Sequence, residues 1–303
     1  MDTKRCSLGR LAWAAGAAAV LVLAGCVANT PAPKVAGMSV APKTKPAGVV
    51  LEYKMPAGRV LRYQSKEEMS QTTEAMGQKI ETVATSTSSY AFQSKGLKDK
   101  NLLLGVTIED MVMNMSNIQG DMSPDLKSVK GKSFDMVLSP LGAEVDVSGA
   151  ESITYDFATG TRSVANNFKV FFPDLPGKSV KVGDSWPSNS AIDEKVGPAD
   201  MRLDFQSVNT LEGFETVDGL ECARIRARVT GTISGTGNQQ GLEMLFGGTH
   251  QGTDIWYFAV QEGLFIKSTS DLTTDMTISI SGAQAMTIPA KQTRKSEVIL
   301  VSR

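Results

Sequence analysis

Residues 222–230 read CARIRARVT, with Ile225, Ala227 and Val229 at one parity and Arg224, Arg226, Arg228 and Thr230 at the other. Successive side chains of a β-strand project to opposite faces, so this spacing predicts a strand with one face buried and one face wet. The same reading applies to residues 102–108, 137–147, 256–266 and 276–280, separated by turn-forming stretches such as 95–101 and 261–263. From Val50 onward the chain is a succession of short alternating or β-branched runs punctuated by Gly, Asn, Asp and Ser, which predicts many strands and few helices. A hydrophobic content of 41% with 21% charged residues gives these strands a core to bury.

An ordered self-similarity suggests two related halves. Gly58 to Leu61 (GRVL) answers Gly183 to Trp186 (GDSW), Phe92-Gln93-Ser94 answers Phe205-Gln206-Ser207, and the glycine pair 131/142 answers 252/263, at offsets of about 113 to 125 residues. In the third match Phe134, Met136 and Leu138 lie where the second copy has Ile255, Tyr257 and Ala259. Between the halves, residues 161–172 (TRSVANNFKVFF) place Val164, Phe168 and Phe171 at three- and four-residue spacing, an apolar helical stripe. Pro173 and Pro176-Gly177 would end that helix. The expected fold is mainly β: two tandem antiparallel half-barrel or sandwich-like units, 50–160 and 178–303, joined by a short helix and Pro-rich turn at 161–177. The alternative is one large irregular β-sandwich.

The N-terminus carries a different message. Lys4, Arg5 and Arg10 precede an apolar run from Leu11 to Leu23, the basic head and greasy middle of a secretory signal peptide. That run falls short of the roughly 20 residues a helix needs to cross a bilayer. Leu23-Ala24-Gly25-Cys26 resembles the lipobox of bacterial lipoproteins, which implies cleavage between Gly25 and Cys26 and acylation of the cysteine, with palmitate as one of its acyl chains. Residues 1–25 are then a leader, and residues 26–49, rich in Pro, Ala and Lys without hydrophobic period, a disordered tether. Val27 and Ala28 stand where an aspartate would resemble an inner-membrane retention signal, so the expected place is the cell envelope, at the outer membrane facing the periplasm. Cys6 leaves with the leader and Cys26 is consumed by lipid, so Cys222 has no intramolecular partner for a disulfide. A formal net charge of −1 provides no electrostatic footprint for nucleic acid.

Phe172-Pro173-Asp174-Leu175-Pro176-Gly177-Lys178, followed by Val182-Gly183-Asp184-Ser185-Trp186, resembles the FP-x-LP-x-K-x-V-x-x-GD-x-W signature of an uncharacterised bacterial lipoprotein family. The resemblance runs over roughly residues 50–300 and implies a location and a fold rather than a chemistry. In architecture, long β-meanders beneath a helix on a lipid-anchored chain are also similar to the open half-barrels of the LolA/LolB and LppX lipoprotein carriers, which hold acyl chains in a concave sheet.

Motifs for catalysis are sparse. His250 is the one histidine, and the surrounding Gly247, Gly248 and Gly252 predict a surface turn; no second histidine exists to complete a usual zinc site. The chain has no G-x-S-x-G elbow and no phosphate-cradling G-x-x-x-x-G-K-[ST] loop, and the glycines at 235, 237 and 241 suit a hairpin turn. Two carboxylates brought together in space could still do acid–base work, although no pair is singled out. Met111, Met113 and Met115 alternate, with Met122 beyond, and would share a strand face. Such thioethers can ligate Cu(I), or can fill apolar space and suit a greasy binding surface with Leu102, Leu104 and Val106. The two groups have opposite parity unless a bulge near Glu109-Asp110 reverses it. The arginine ladder 224/226/228 suits either an anion or a plain solvated face.

The expectation is therefore a non-enzymatic binding or carrier module with no catalytic residue, metal or cofactor, tethered to the membrane through Cys26. Its ligand would be a lipid or other hydrophobic molecule, with Met111, Met113, Met115, Phe168 and Phe171 as contacts. The alternatives are a scaffold binding another envelope protein, or copper binding through the methionine strand.

Overall fold

The structure, a computed structural model, describes residues 48–303 except 76, 158–159, 240 and 283–284. The lipobox residues Gly25 and Cys26, the leader and all but the last two residues of the expected tether lie outside the described residues. Long strands dominate: β1 (Val60–Ala75), β2 (Gln78–Lys98) and β3 (Asn101–Asn117) form a meander, followed by the short β4 (Gly120–Asp121), β5 (Ser133–Leu138) and β6 (Glu144–Asp146). A hairpin of β7 (Thr154–Phe157) and β8 (Gly160–Ser163) lies apart from the main sheet. A second meander follows: β9 (Ser185–Val196), β10 (Ala199–Val217), β11 (Leu220–Gln239), β12 (Leu242–Ala259), β13 (Leu264–Ile280) and β14 (Met286–Ser302).

Both meanders belong to one antiparallel sheet. Its order is β6-β5-β3-β2-β1-β14-β13-β12-β11-β10-β9, with β4 on the end of β3, so the sheet is open and its edges are β6 and β9. The seam is β1 against β14, registered from Arg62↔Ser302 to Thr73↔Ala290. Tight hairpins set the register: Asp99-Lys100 and Asp218-Gly219 both hold positive φ at the two central positions, the twist that matches flanking strands.

The joining helix is not present. Residues 160–163 are strand β8, and only a single 3₁₀ turn at Ala165–Asn167 follows, with Asn167 N donating to Val164 O and Phe168 N to Ala165 O, each at 3.0 Å. Thr161 and Val164 are β-branched and Asn166-Asn167 compete for backbone hydrogen bonds, so helix propensity is low. The tighter turn still brings Val164 and Phe168 inward, both fully buried. The predicted run 137–147 is likewise broken, because Ser139 N bonds Ala143 O and turns the chain between β5 and β6.

The sheet curls so that its inner face encloses two large apolar clusters and a small third one of Ala227, Val229 and Leu272. The larger lies beneath residues 122–184, which cross over β1–β3 and the start of the second meander, and it is rich in aromatics: Tyr63, Tyr90, Phe92, Phe168, Phe171, Phe172, Phe258 and Phe265. Most of the ring pairs meet edge to face, Phe134–Phe168 at 4.8 Å and Tyr90–Phe168 at 5.0 Å between centroids, an arrangement favoured by their quadrupoles, while Tyr63 and Phe265 are stacked. The second cluster joins Ile192, Val196, Met201 and Leu203 of β9–β10 to Ile278, Ile280 and Ile288 of β13–β14 and Ala75 of β1. Strands at the far edge thus pack on strands at the middle.

The outward face is charged. β1 exposes Arg62, Lys66, Glu68 and Glu74 at alternate positions or multiples of two, and β14 exposes Lys291. A membrane-spanning barrel carries an apolar band there, so this sheet has the opposite polarity and suits water outside. No described helix is long and apolar enough to cross a membrane.

Candidate functional site

Between the two large apolar clusters the inner face turns polar, and there the curled sheet leaves a cavity of about 240 Å³. The alternation that buries Ile and Leu at the strand ends presents Ser188 and Ser190 on β9, Ser207 and Asn209 on β10, and Ser268 and Ser270 on β13. β14 and β1 contribute Arg294, Ser296 and Ser65. Trp256, Phe265, Val229 and Val298 supply apolar floor. The roof is the crossover, with Tyr155, Asn166, Asn167, Lys169 and the stretch from Val170 to Asp174.

The signature-like stretch holds this roof in place. Pro173 O accepts a hydrogen bond from the Tyr53 hydroxyl at 3.0 Å, Asp174 O accepts one from Trp186 Nε1 at 3.0 Å, and Leu175 N donates to Leu141 O at 2.7 Å. The Ser188 hydroxyl donates to the Asp174 carboxylate. Farther along, Lys181 N donates to Asp184 Oδ2 at 2.9 Å, and Gly183 N to Leu211 O at 2.8 Å. The FP, D, L, GD and W positions are therefore a strap that ties the crossover to the segment leading into β1, to the β5–β6 turn and to the second meander, and it shapes the cavity beneath it.

Charged groups sit where water is scarce. Arg162 Nη1 meets Glu194 Oε1 at 3.1 Å with side chains only 5% and 10% exposed, and the Arg162 guanidinium lies 4.9 Å from the Phe157 ring centre. Burial raises the Glu194 carboxyl above its ordinary range, with Arg162 opposing. The Asp254 carboxyl is buried and raised by desolvation, opposed by the Ser270 hydroxyl that donates to it and by Arg294. Glu144 is pushed up to about 8, by burial first and by Asp174 in the same direction, while Phe172 N donates to its Oε1 at 3.0 Å. Asp254 Oδ1 and Glu194 Oε2 are shut off from solvent without a hydrogen-bond partner among the described residues.

The sequence-predicted contacts divide. Phe171 lines the cavity, whereas Phe168, wholly buried, is core. Met111, Met113 and Met115 are also in the main cluster, at 5%, 6% and 1% exposure, and do not line the cavity. The bulge that would bring them to the face of Leu102, Leu104 and Val106 exists: Tyr90 pairs with Ile108 and Ser89 with Asp110, so Glu109 is the extra residue and parity reverses across it. All of these side chains point inward.

His250 departs from expectation. It stands within β12 rather than in a surface turn, 4% exposed, with its ring 4.3 Å from that of Phe205. The neighbouring glycines are strand residues, as are Gly235 and Gly237; of the three expected in a hairpin turn, only Gly241 is in one. The reason is curvature. A Cβ on Gly231 would lie 1.9 Å from Asp204 O and 2.1 Å from His250 Nε2, and one on Gly252 would lie 2.1 Å from Asp271 O. The inner face is too tightly curled for side chains at these positions. Burial, then Arg294, holds His250 down at about 4, against a hydrogen bond to the Asp204 carbonyl.

Of the arginine ladder, Ile225, Ala227 and Val229 are buried and the arginines face out as expected. A bulge at Glu212 turns that carboxylate toward the ladder, where it pairs with Arg224 and, at 2.5 Å, with Arg226. Arg224 also meets Glu215 at 3.3 Å. Two of the three cations are thus already answered. Cys222 is buried and free, its thiol raised to about 11 by burial.

The polar inner positions had one signal in the sequence. Around residues 267–275 (KSTSDLTTD) both parities are polar except at Leu272, so alternation fails in the middle of a strand that is apolar at its end. No family model and no curated protein matches the chain. Among solved structures, a YmcC-like fold protein from Bacteroides fragilis is 8% identical, covering 80% of this chain and 97% of its own, with a TM-score of 0.23. An outer membrane channel from Pseudomonas putida is 9% identical over 85% of this chain and 100% of its own, TM-score 0.26. OccK2 (OpdF) of Pseudomonas aeruginosa is 7% identical over 80% and 98%, TM-score 0.23. The likeness at these scores goes no further than richness in β structure.

Proposed function

We propose that this chain is a non-enzymatic binding module of the bacterial cell envelope, anchored at the outer membrane on its periplasmic side through a lipid on Cys26, that takes a small amphipathic ligand in the concave cavity. The carrying observation is the two-sided lining of one enclosed space: serines, Asn209, Asp254 and Arg294 on one part, Trp256, Phe171, Phe172, Phe265 and Val298 on another. Apolar walls with a few convergent polar groups are the usual form of a small-molecule site. The size shapes the reading. A cavity of about 240 Å³ lies just under the roughly 300 Å³ at which such sites begin. It suits a compact ligand or the head and first carbons of a longer one, such as the lipid that the sequence leads us to expect. The basic head, apolar run and lipobox-like residues 23–26 support the anchor, and the charged outer face supports an aqueous setting.

The test is to fill the space. Full chain purified from membranes and its Ser207→Trp variant, matched for fold by circular dichroism, are extracted and the co-purifying small molecules compared by mass spectrometry. An amphipathic compound carried by the parent and absent from the variant is expected. The same compounds in equal amount in both would overturn the reading.

A further inference from the structure

The chemical class of the ligand's head can be taken further, resting on the cavity reading above. Asp254 stands opposite Ser270 in the register, and two residues along the same strand Trp256 stands opposite Ser268. All four line the cavity. Opposite residues of an antiparallel pair have Cβ atoms roughly 5 Å apart, and residues i and i+2 of one strand share a face at about 7 Å. One small ring lying on this patch therefore reaches a carboxyl, two hydroxyls and an indole.

The polar atoms left open on the lining are of two kinds. Asp254 Oδ1 is shut off from solvent and has no hydrogen-bond partner among the described residues. On the roof, Asn167 Nδ2 is a donor in the same condition. Buried polar atoms are costly to leave unmatched, so what fills the space has to offer both donors and acceptors. The charges, by contrast, are answered within the protein. Arg162 pairs with Glu194 at 3.1 Å, Arg294 acts on Asp254, and burial favours the neutral form of Glu144, whose Oε1 accepts from Phe172 N. Of the remaining charged groups on the lining, Lys169 offsets Asp174.

We infer that the cavity recognises an uncharged head with several hydroxyls, a single sugar ring carried on an apolar chain, whose hydroxyls meet Asp254, Ser268 and Ser270 while a C–H face lies against Trp256. A hydroxyl donates and accepts, so it answers Asp254 in either protonation state, and a hydroxyl turned to the roof answers Asn167. An ammonium can only donate, and a phosphate chiefly accepts. Each leaves one of the two atoms open and adds a charge that the lining does not balance.

The experiment varies only the head group. Full chain in phosphatidylcholine nanodiscs is titrated at pH 7 with the hexyl glycosides of glucose, galactose and mannose, and with hexanamide, hexylammonium and hexyl phosphate, by calorimetry with empty discs subtracted. At least one glycoside is expected to bind about tenfold or more tighter than each of the other three heads, and Ser207→Trp to abolish that binding. Asp254→Leu, which removes the acceptor, is expected to weaken the glycoside at least about tenfold, whereas Asp254→Asn, which removes the charge and keeps an acceptor, should stay within about threefold of the parent. The sugar assignment is overturned if hexanamide, hexylammonium or hexyl phosphate matches the best glycoside, if Asp254→Leu leaves glycoside binding unchanged, if Asp254→Asn weakens it as much as Asp254→Leu does, or if Ser207→Trp still binds the glycoside. Absence of binding by any glycoside overturns it too. The cavity reading falls with it only where Ser207→Trp carries the same co-purified compounds as the parent. Should Asp254→Leu not fold, the ranking of head groups on the parent and its loss in Ser207→Trp still decide.

Discussion

His250 owes its place inside β12 to a glycine on the neighbouring strand. Gly231 lies opposite it in the register, and the ring occupies the volume a Cβ would take. The packed imidazole is held neutral, which makes its contribution to stability depend on acid. Its pKa falls from about 6.5 in the unfolded chain to about 4 in the fold, so between those values the unfolded state binds more protons. This contribution is complete above about pH 6.5 and is lost as pH falls toward about 4. Glu144 tilts the curve the other way: with its folded value raised to about 8, the fold binds the extra proton, and stability is lost as pH rises from about 4.5 through 8. Thermal unfolding followed from pH 4 to 9 is expected to show a flatter acid limb for His250→Gln and a flatter alkaline limb for Glu144→Gln. Parent-like slopes in both variants would contradict these assignments. Residues such as Ile225 and Val229 were legible from spacing alone, because burial on one face of a strand is written as period two. His250 was not, because glycines read as turn residues when the curvature that demands them is a property of the neighbouring strand.

At the scale of the element, the bulge in β3 decides what the three methionines are for. With Glu109 inserted, Leu102 to Ile108 and Met111 to Met115 share the inner face; without it, one set turns to solvent. Deleting Glu109 is therefore expected to destabilise the protein by about 4 kcal/mol or more in urea unfolding, since each exposed methionine forfeits roughly 1.5–3 kcal/mol of burial. Glu109→Ala keeps the extra residue and loses only the half-exposed pair with Arg62, so it should cost under about 1 kcal/mol. Equal effects from the two changes would show that the insertion does not set the register. Strands were the readable elements, and the two-residue turn at Asp99-Lys100 lies inside the stretch expected to turn. The connector was misread because the spacing of Val164, Phe168 and Phe171 reports which side chains are buried, and a 3₁₀ turn with irregular chain buries them as well as a helix does.

For the whole molecule, the seam between β1 and β14 makes the two meanders dependent on each other. The main apolar cluster takes Leu61, Tyr63 and Phe92 from the first and Ile225, Phe258, Phe265 and Leu300 from the second. Separate chains spanning residues 48–183 and 184–303 are thus expected to show no cooperative thermal transition alone and to recover one on mixing. A sharp transition in either half by itself would contradict this. The internal matches follow the sheet only in part. Gly58 and Gly183 both stand just before the first strand of a meander with positive φ, and Phe92 and Phe205 both lie on the second strand. The third match places inward Phe134 and Met136 of β5 against Ile255 and Tyr257, which sit at the opposite parity to buried Trp256 and Phe258 on β12. The cavity escaped the sequence because it arises where strands from both meanders curl together.

During synthesis β14 is the last of the described strands to emerge, yet its place is at the centre of the sheet, between β13 and β1. Until it arrives, β1 presents a long row of unpaired amides and carbonyls, the kind of edge that recruits a strand from another copy. Arg62, Lys66, Glu68 and Glu74 along β1 put charge beside that edge throughout the wait. The newly made chain is in this sense an unfinished sheet with a guarded gap, and the guard is spent once β14 closes it.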